Sequence, residues 1–172
     1  MNDVDDDAGD TEAASALISD RFISLLQQRF APGIAAILMY GSWLRGKRDT
    51  ILDFYVLLDD YDAFDKPVHA WANRALAPNV YHVTTQSDGK QYAAKYATLT
   101  LSALEKANRH AFHSYFWARF AQPMTLVYAQ DSATAERVTQ TLQDAGKRMI
   151  NETVALMPAE FSTQELWTQA MA

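Results

Sequence analysis

Three residues of this 172-residue chain stand at a spacing that suits phosphate chemistry: Gly41, Ser42 and, eleven positions after the serine, Asp53. They lie within residues 34–60, IAAILMYGSWLRGKRDTILDFYVLLDD. There an apolar run ends in Tyr40-Gly41-Ser42, a basic loop follows, and a second apolar run opens on Asp53. A Gly-Ser pair after a buried strand lets the backbone turn sharply and present N–H groups to an anion, because glycine tolerates the dihedrals required. Ser42 adds a hydroxyl donor, and Arg45, Lys47 and Arg48 put cations where a triphosphate would lie. A carboxylate at the start of the neighbouring strand would hold Mg2+, which takes oxygen ligands and substrate phosphates. These are the parts of a nucleotidyl-transfer site. The same residues also suit an ordinary hairpin or crossover with a charged loop and a strand-initial Asp.

A second acid two positions on would share the strand face of Asp53 and could hold the same ion, and that position is Tyr55. Strand alternation places Asp53, Tyr55, Leu57 and Asp59 on the same side. Asp59 would lie about 20 Å from Asp53 at ~3.3 Å per residue, too far to share an ion. One metal-holding acid is therefore visible, not two.

The elements that must position these residues can be read in order. Apolar residues Leu17, Ile18, Phe22, Leu25, Leu26 and Phe30 recur at helical spacing over 11–30, and Ala31-Pro32-Gly33 stops that helix. Residues 34–40 and 52–58 predict strands covered on both faces, since neither alternates cleanly. Residues 62–76 suit a helix with Pro67 in its first turns or at a kink. Residues 80–85 and 91–98 flank Asp88-Gly89, a hairpin signal. Thr100 or Ser102 can cap a helix that begins near Leu101, Ser102 with Glu105 making a capping box, and that helix is expected to run on to Phe120, with Pro123 ending it. A strand over 124–129, a long amphipathic helix over 132–156, and a final helix behind the capping box Ser162/Glu165 complete the chain. The expected class is α+β, a mixed sheet of about five strands flanked by helices. Residues 1–12 are expected as a disordered acidic tail and 13–172 as one domain.

Composition narrows the function further. Residues 1–12 carry six of the 21 acids and no base, which leaves 15 acids against 15 bases in the remainder. The net charge of −6 therefore does not argue against an anionic substrate. The absence of cysteine removes disulfides, thiolate metal sites and Cys nucleophiles. No apolar run approaches the ~18–20 residues that span a bilayer, and the acidic start is the opposite of a presequence. No basic patch beyond the 45–48 loop suggests nucleic-acid binding. His110 and His113 could share a helical face, but no third metal ligand accompanies them. His69 and His82 carry no chemical signal of their own.

The separation of Gly41-Ser42 from Asp53 suits the polymerase-β-like nucleotidyltransferase superfamily. Further segments make the resemblance more specific. Tyr40-Gly41-Ser42, Asp53-Phe54-Tyr55-Val56 with Asp59-Asp60, and Pro78-Asn79-Val80-Tyr81-His82 come in that order. Lys95-Tyr96, Ala118-Arg119 with Gln122-Pro123-Met124, and the stretch from Leu156 to Ser162 follow. Together they resemble the mitochondrial-type CDP-diacylglycerol synthases, the translocator-assembly-and-maintenance family of phosphatidate cytidylyltransferases. That family also has an apolar residue in place of the second strand acid. The chain departs from it at Trp43 and Ala97, where the family has glycines, and at Gln122, where it has lysine. The family continues with more helical sequence after the last helix, so this chain is expected to lack its C-terminal helical part.

The resemblance implies transfer of cytidylate from CTP to phosphatidate, in cardiolipin and phosphatidylglycerol synthesis. Gly41, Ser42 and Arg45 would bind nucleotide, Asp53 would hold Mg2+, Lys95 would neutralise phosphate charge, and Arg119 would contact the lipid phosphate. It further implies a cytoplasmic protein peripheral to a bacterial inner membrane, and leaves a homo-oligomer open. Two other readings stand beside it: a small nucleotidyltransferase with a soluble acceptor, and a non-catalytic domain that binds nucleotide or phosphate.

Overall fold

The computed structural model describes residues 5–47, 50–63, 78–87, 89–111 and 114–170. The class is α+β, built on a five-stranded mixed sheet. The described residues divide into two compact units. One comprises residues up to Thr100 together with Met124–Gln130, the other Leu101–Pro123 together with the residues from Asp131 onward.

The first unit holds the sheet. Helix α1 spans Asp5–Phe30 and is followed by β1 (Ile34–Tyr40), β2 (Leu52–Leu58), β3 (Asn79–Ser87), β4 (Lys90–Thr100) and, from further along the chain, β5 (Met124–Ala129). The spatial order is β3-β4-β2-β1-β5. β2 and β4 run parallel, and every other pair is antiparallel. Helix α1 begins before the expected start near Thr11 and takes in most of the stretch expected as a disordered tail. Negative residues are favoured in the first turns of a helix.

From α1, Ile18, Phe22, Leu26 and Phe30 recur every four residues and are buried with Ile37, Met39, Leu52, Phe54, Val56 and Tyr96 in a single core. Fully burying a side chain of this size is worth about 1.5–3 kcal/mol, so this stripe is what fixes α1 to the sheet. Arg21 Nη1 adds a hydrogen bond to the Gln86 carbonyl at 2.8 Å. The Tyr96 hydroxyl is buried in this core with no hydrogen-bond partner among the described residues, and burial pushes its pKa up. Both predicted strands of residues 34–60 form at the expected bounds, and β2 is buried on both faces except at Asp53. The helix expected over 62–76 falls almost wholly outside the described residues, as does Asp88 of the hairpin turn. A 3-10 turn covers Tyr61–Ala63.

The second unit is helical: α2 (Leu101–His110), α3 (Tyr115–Phe120), α4 (Ser132–Val154) and α5 (Thr163–Ala170). Thr134, Val138, Thr141, Ala145, Met149 and Thr153 form a buried stripe at helical spacing along α4, which packs on α2, α3 and α5. Asp131 caps α4 by accepting from the Thr134 N–H at 2.7 Å, and this backbone hydrogen bond lowers its carboxyl pKa. The Ser162/Glu165 capping box forms as expected. Glu165 accepts from the Ser162 N–H at 2.7 Å and the Ser162 hydroxyl accepts from the Glu165 N–H at 3.2 Å.

Helix α2 starts at Leu101, as expected, and so places Thr100 immediately before its first residue. The Glu105 carboxylate is taken by the Arg137 guanidinium, at 3.2 Å on each of two hydrogen bonds. One helix does not run on to Phe120, because α2 ends at His110. Arg148 donates to the carbonyls of Asn108 and Ala111, at 2.7 Å each, and so satisfies the end of the helix there. Its guanidinium also lies 5.5 Å from the centre of the Trp117 ring.

Candidate functional site

The end of β1 shows how the first candidate residues are placed. Gly41 has φ +93, in the left-handed region that costs a side-chain-bearing residue about 1–2 kcal/mol. Ser42 is right-handed, at φ −70 and ψ −26, and leads into a 3-10 turn over Trp43–Arg45. The Arg45 and Lys47 N–H groups both donate to the Ser42 carbonyl, at 3.0 and 3.2 Å. The Ser42 hydroxyl donates to Thr50 Oγ1 at 2.8 Å, and the Thr50 hydroxyl donates in turn to the Lys47 carbonyl at 2.8 Å. Ser42 therefore closes the loop on itself. Its hydroxyl proton, expected to serve an anion, is committed to Thr50. Donors for a phosphate at this turn come from backbone N–H groups, which turn conformations can point to one side.

Asp53 lies against this turn. A Cβ added at Gly41 would fall 2.7 Å from Asp53 Oδ2 and 3.5 Å from Asp53 Cγ, so no other residue fits at 41 without moving the carboxylate. The register explains the approach, since Tyr40 pairs with Asp53 across β1 and β2. Asp53 is half-buried, and its neighbours Leu52 and Phe54 belong to the core on the other face of the sheet.

On the face that carries Asp53, the next residue along β2 is Tyr55. It is buried, and its ring stacks on Tyr40 with centroids 4.7 Å apart at 23°. Position 55 is thus an aromatic packing position, which accounts physically for the missing second acid. Among the described residues no three His, Asp or Glu side chains gather into a cation site. A single carboxylate beside a turn could still serve Mg2+, because this ion is commonly held by one or two carboxylates together with substrate phosphates.

Trp43 stands where the related pattern has glycine, and its place is now defined. The indole is 3% exposed and packs in the core with Leu52 and Phe54.

Lys95 pairs directly with Asp53 across the parallel β2–β4 seam. Its neighbours Ala94 and Tyr96 point into the core, so Lys95 shares the Asp53 face and is half-buried there. Gly41, Ser42, Asp53 and Lys95 therefore meet at one end of the sheet. Arg45 is exposed at the end of the 3-10 turn that leaves this site, and Lys47 is exposed two residues on. Arg48 lies outside the described residues. Arg119 is an exposed residue in the last turn of α3, in the helical unit. His110 is exposed at the end of α2, while His69 and His113 lie outside the described residues.

One residue of this end gives no local signal in the sequence. His82 pairs with Lys95 across β3 and β4. The pairings Met124–Tyr40, Tyr40–Asp53, Asp53–Lys95 and Lys95–His82 join into one row across all five strands. A register relation through three seams cannot be read from spacing along the chain. No protein-family model matches the chain, and no curated protein is detectably similar to it.

Proposed function

We propose that this protein is a nucleotidyltransferase that passes cytidylate from CTP to phosphatidate, forming CDP-diacylglycerol and pyrophosphate. The observation that carries the reading is the Asp53 carboxylate resting on the Gly41 turn, which puts an anion-binding backbone and a metal-binding oxygen side by side. The choice of phosphatidate as acceptor is supported by the family resemblance of the ordered segments from Tyr40-Gly41-Ser42 through Lys95-Tyr96 to Leu156–Ser162.

The chemistry suits a site with one acid. An oxygen of the acceptor phosphate attacks the α-phosphorus of CTP and a new P–O–P linkage forms. The bond from the α-phosphorus to the bridging oxygen breaks, and pyrophosphate leaves with that electron pair. A phosphate monoester has a second pKa of ~6 and arrives already ionised, so no side chain has to take a proton from it. In-line placement and charge neutralisation are then the main demands. Mg2+, held by Asp53 and the triphosphate, would supply part of that neutralisation. The turn at Gly41 orients the nucleotide phosphates, and Lys95 offsets charge one strand away. Phosphatidate would be met at a membrane surface as a peripheral contact. No helix among the described residues is long and apolar enough to cross a membrane.

The test is an assay of purified protein with CTP, Mg2+ and phosphatidate, run beside Asp53→Ala. Product from the unaltered protein and none from the variant is the expected result. Binding of CTP without product would instead favour a non-catalytic nucleotide-binding domain, the reading that Tyr55 at the second acid position supports.

A further inference from the structure

The row Asp53–Lys95–His82 reaches beyond the elements used so far. His82 lies on β3, the edge of the sheet, and is exposed. Tyr81 and Val83 on either side of it pack toward the core, which turns His82 to the face shared by Lys95 and Asp53. Adjacent strands stand about 4.8 Å apart, so His82 is some 10 Å from the Asp53 strand with Lys95 between them. The nearest same-face positions along β3 and β4 are Val80, Thr84, Ala93 and Ala97, none of them a carboxylate.

An imidazole and an ammonium side chain therefore stand at directly paired positions of β3 and β4, with Asp53 at the paired position on the far side of Lys95. Side chains at directly opposite positions on one face of a sheet lie close enough to hold one ligand between them. A phosphate fits this place, since it accepts charge-assisted hydrogen bonds from both imidazole and ammonium.

We infer that His82 and Lys95 bind the phosphate monoester of the acceptor substrate, with the nucleotide triphosphate at the Gly41 turn on the opposite side of Asp53. This rests on the nucleotidyl-transfer reading and assigns the two substrates to opposite ends of one row. His82 is then a substrate-contacting residue, and its loss should affect one substrate and not the other.

The experiment compares His82→Ala and His82→Gln with the unaltered protein in KM for short-chain phosphatidate and KM for CTP. It is paired with NMR of the His82 imidazole as dioctanoyl phosphatidate is added without nucleotide. The expected result for His82→Ala is a rise of roughly tenfold in KM for phosphatidate, the loss of one charge-assisted hydrogen bond, with KM for CTP unchanged. His82→Gln, which keeps a donor, should recover part of the loss. The imidazole resonance should move on adding phosphatidate to the unaltered protein and move much less in Lys95→Ala. Unchanged KM for phosphatidate in His82→Ala would overturn the inference while leaving the cytidylyl-transfer reading intact. If the unaltered protein makes no product, that reading fails, and the NMR titration alone decides the role of His82. An unmoved resonance rejects the subsite.

Discussion

The two faces of β2 put neighbouring residues to opposite uses. Leu52, Phe54, Val56 and Leu58 face α1 and are almost wholly buried in the core. On the other face Asp53 stands half-buried at the strand's beginning, and Tyr55 and Leu57 behind it are buried. The candidate chemistry is thus confined to one row at the end of a strand that otherwise packs on both sides. A site at the end of a buried strand gains a rigid base, while only its outermost residues need to be exposed to substrate.

Substitutions along this strand and its neighbours can break that contrast. Tyr55→Asp, which would restore the second acid of the usual pair, should cost the most. It loses the stack on Tyr40 and buries a carboxylate, and a loss of roughly 5 kcal/mol or more in denaturant unfolding is expected, with no gain in turnover. Phe54→Ala on the core face should lower stability by about 3–5 kcal/mol in the same measurement. Gly41→Ala falls between the two uses. A left-handed alanine costs about 1–2 kcal/mol, and its methyl displaces the Asp53 carboxylate, so CTP affinity measured by calorimetry should fall as well. Lys95→Ala sharpens the contrast from the other side. Its stability should stay within about 0.5 kcal/mol of the unaltered protein, while turnover drops on the order of 10²-fold if the ammonium faces developing phosphate charge.

Much of the sheet unit is legible from local pattern. β1 and β2 have the predicted bounds because an apolar run between turn residues is a local signal, and the expected pairing of β3 with β4 closes at Ser87 and Lys90. The break between α2 and α3 is not legible. Apolar residues continue through 111–116, and the group that ends α2 is Arg148, which lies 37 and 40 positions away from the carbonyls it binds. The hydrogen bonds of Arg137 to the Glu105 carboxylate are hidden in the same way, since they come from another helix.

At the candidate site, Gly41, Ser42 and Asp53 are visible because their spacing spans one turn and one strand. The destinations of Trp43 and Tyr55 are not, because a residue's type does not say which face of the sheet it enters. His82 remains hidden until the strand order and register are known.

The parallel seam between β2 and β4 has a consequence for how two distant parts of the chain are held together. It joins Asp53 to Lys95, forty-two positions apart in sequence, through a register that the intervening chain does not itself define. The entropy of closing a loop grows only with the logarithm of its length, so doubling a flexible connection costs about 0.6 kcal/mol. The Asp53–Lys95 pairing is therefore held by the seam itself and not by the length of chain between its two partners.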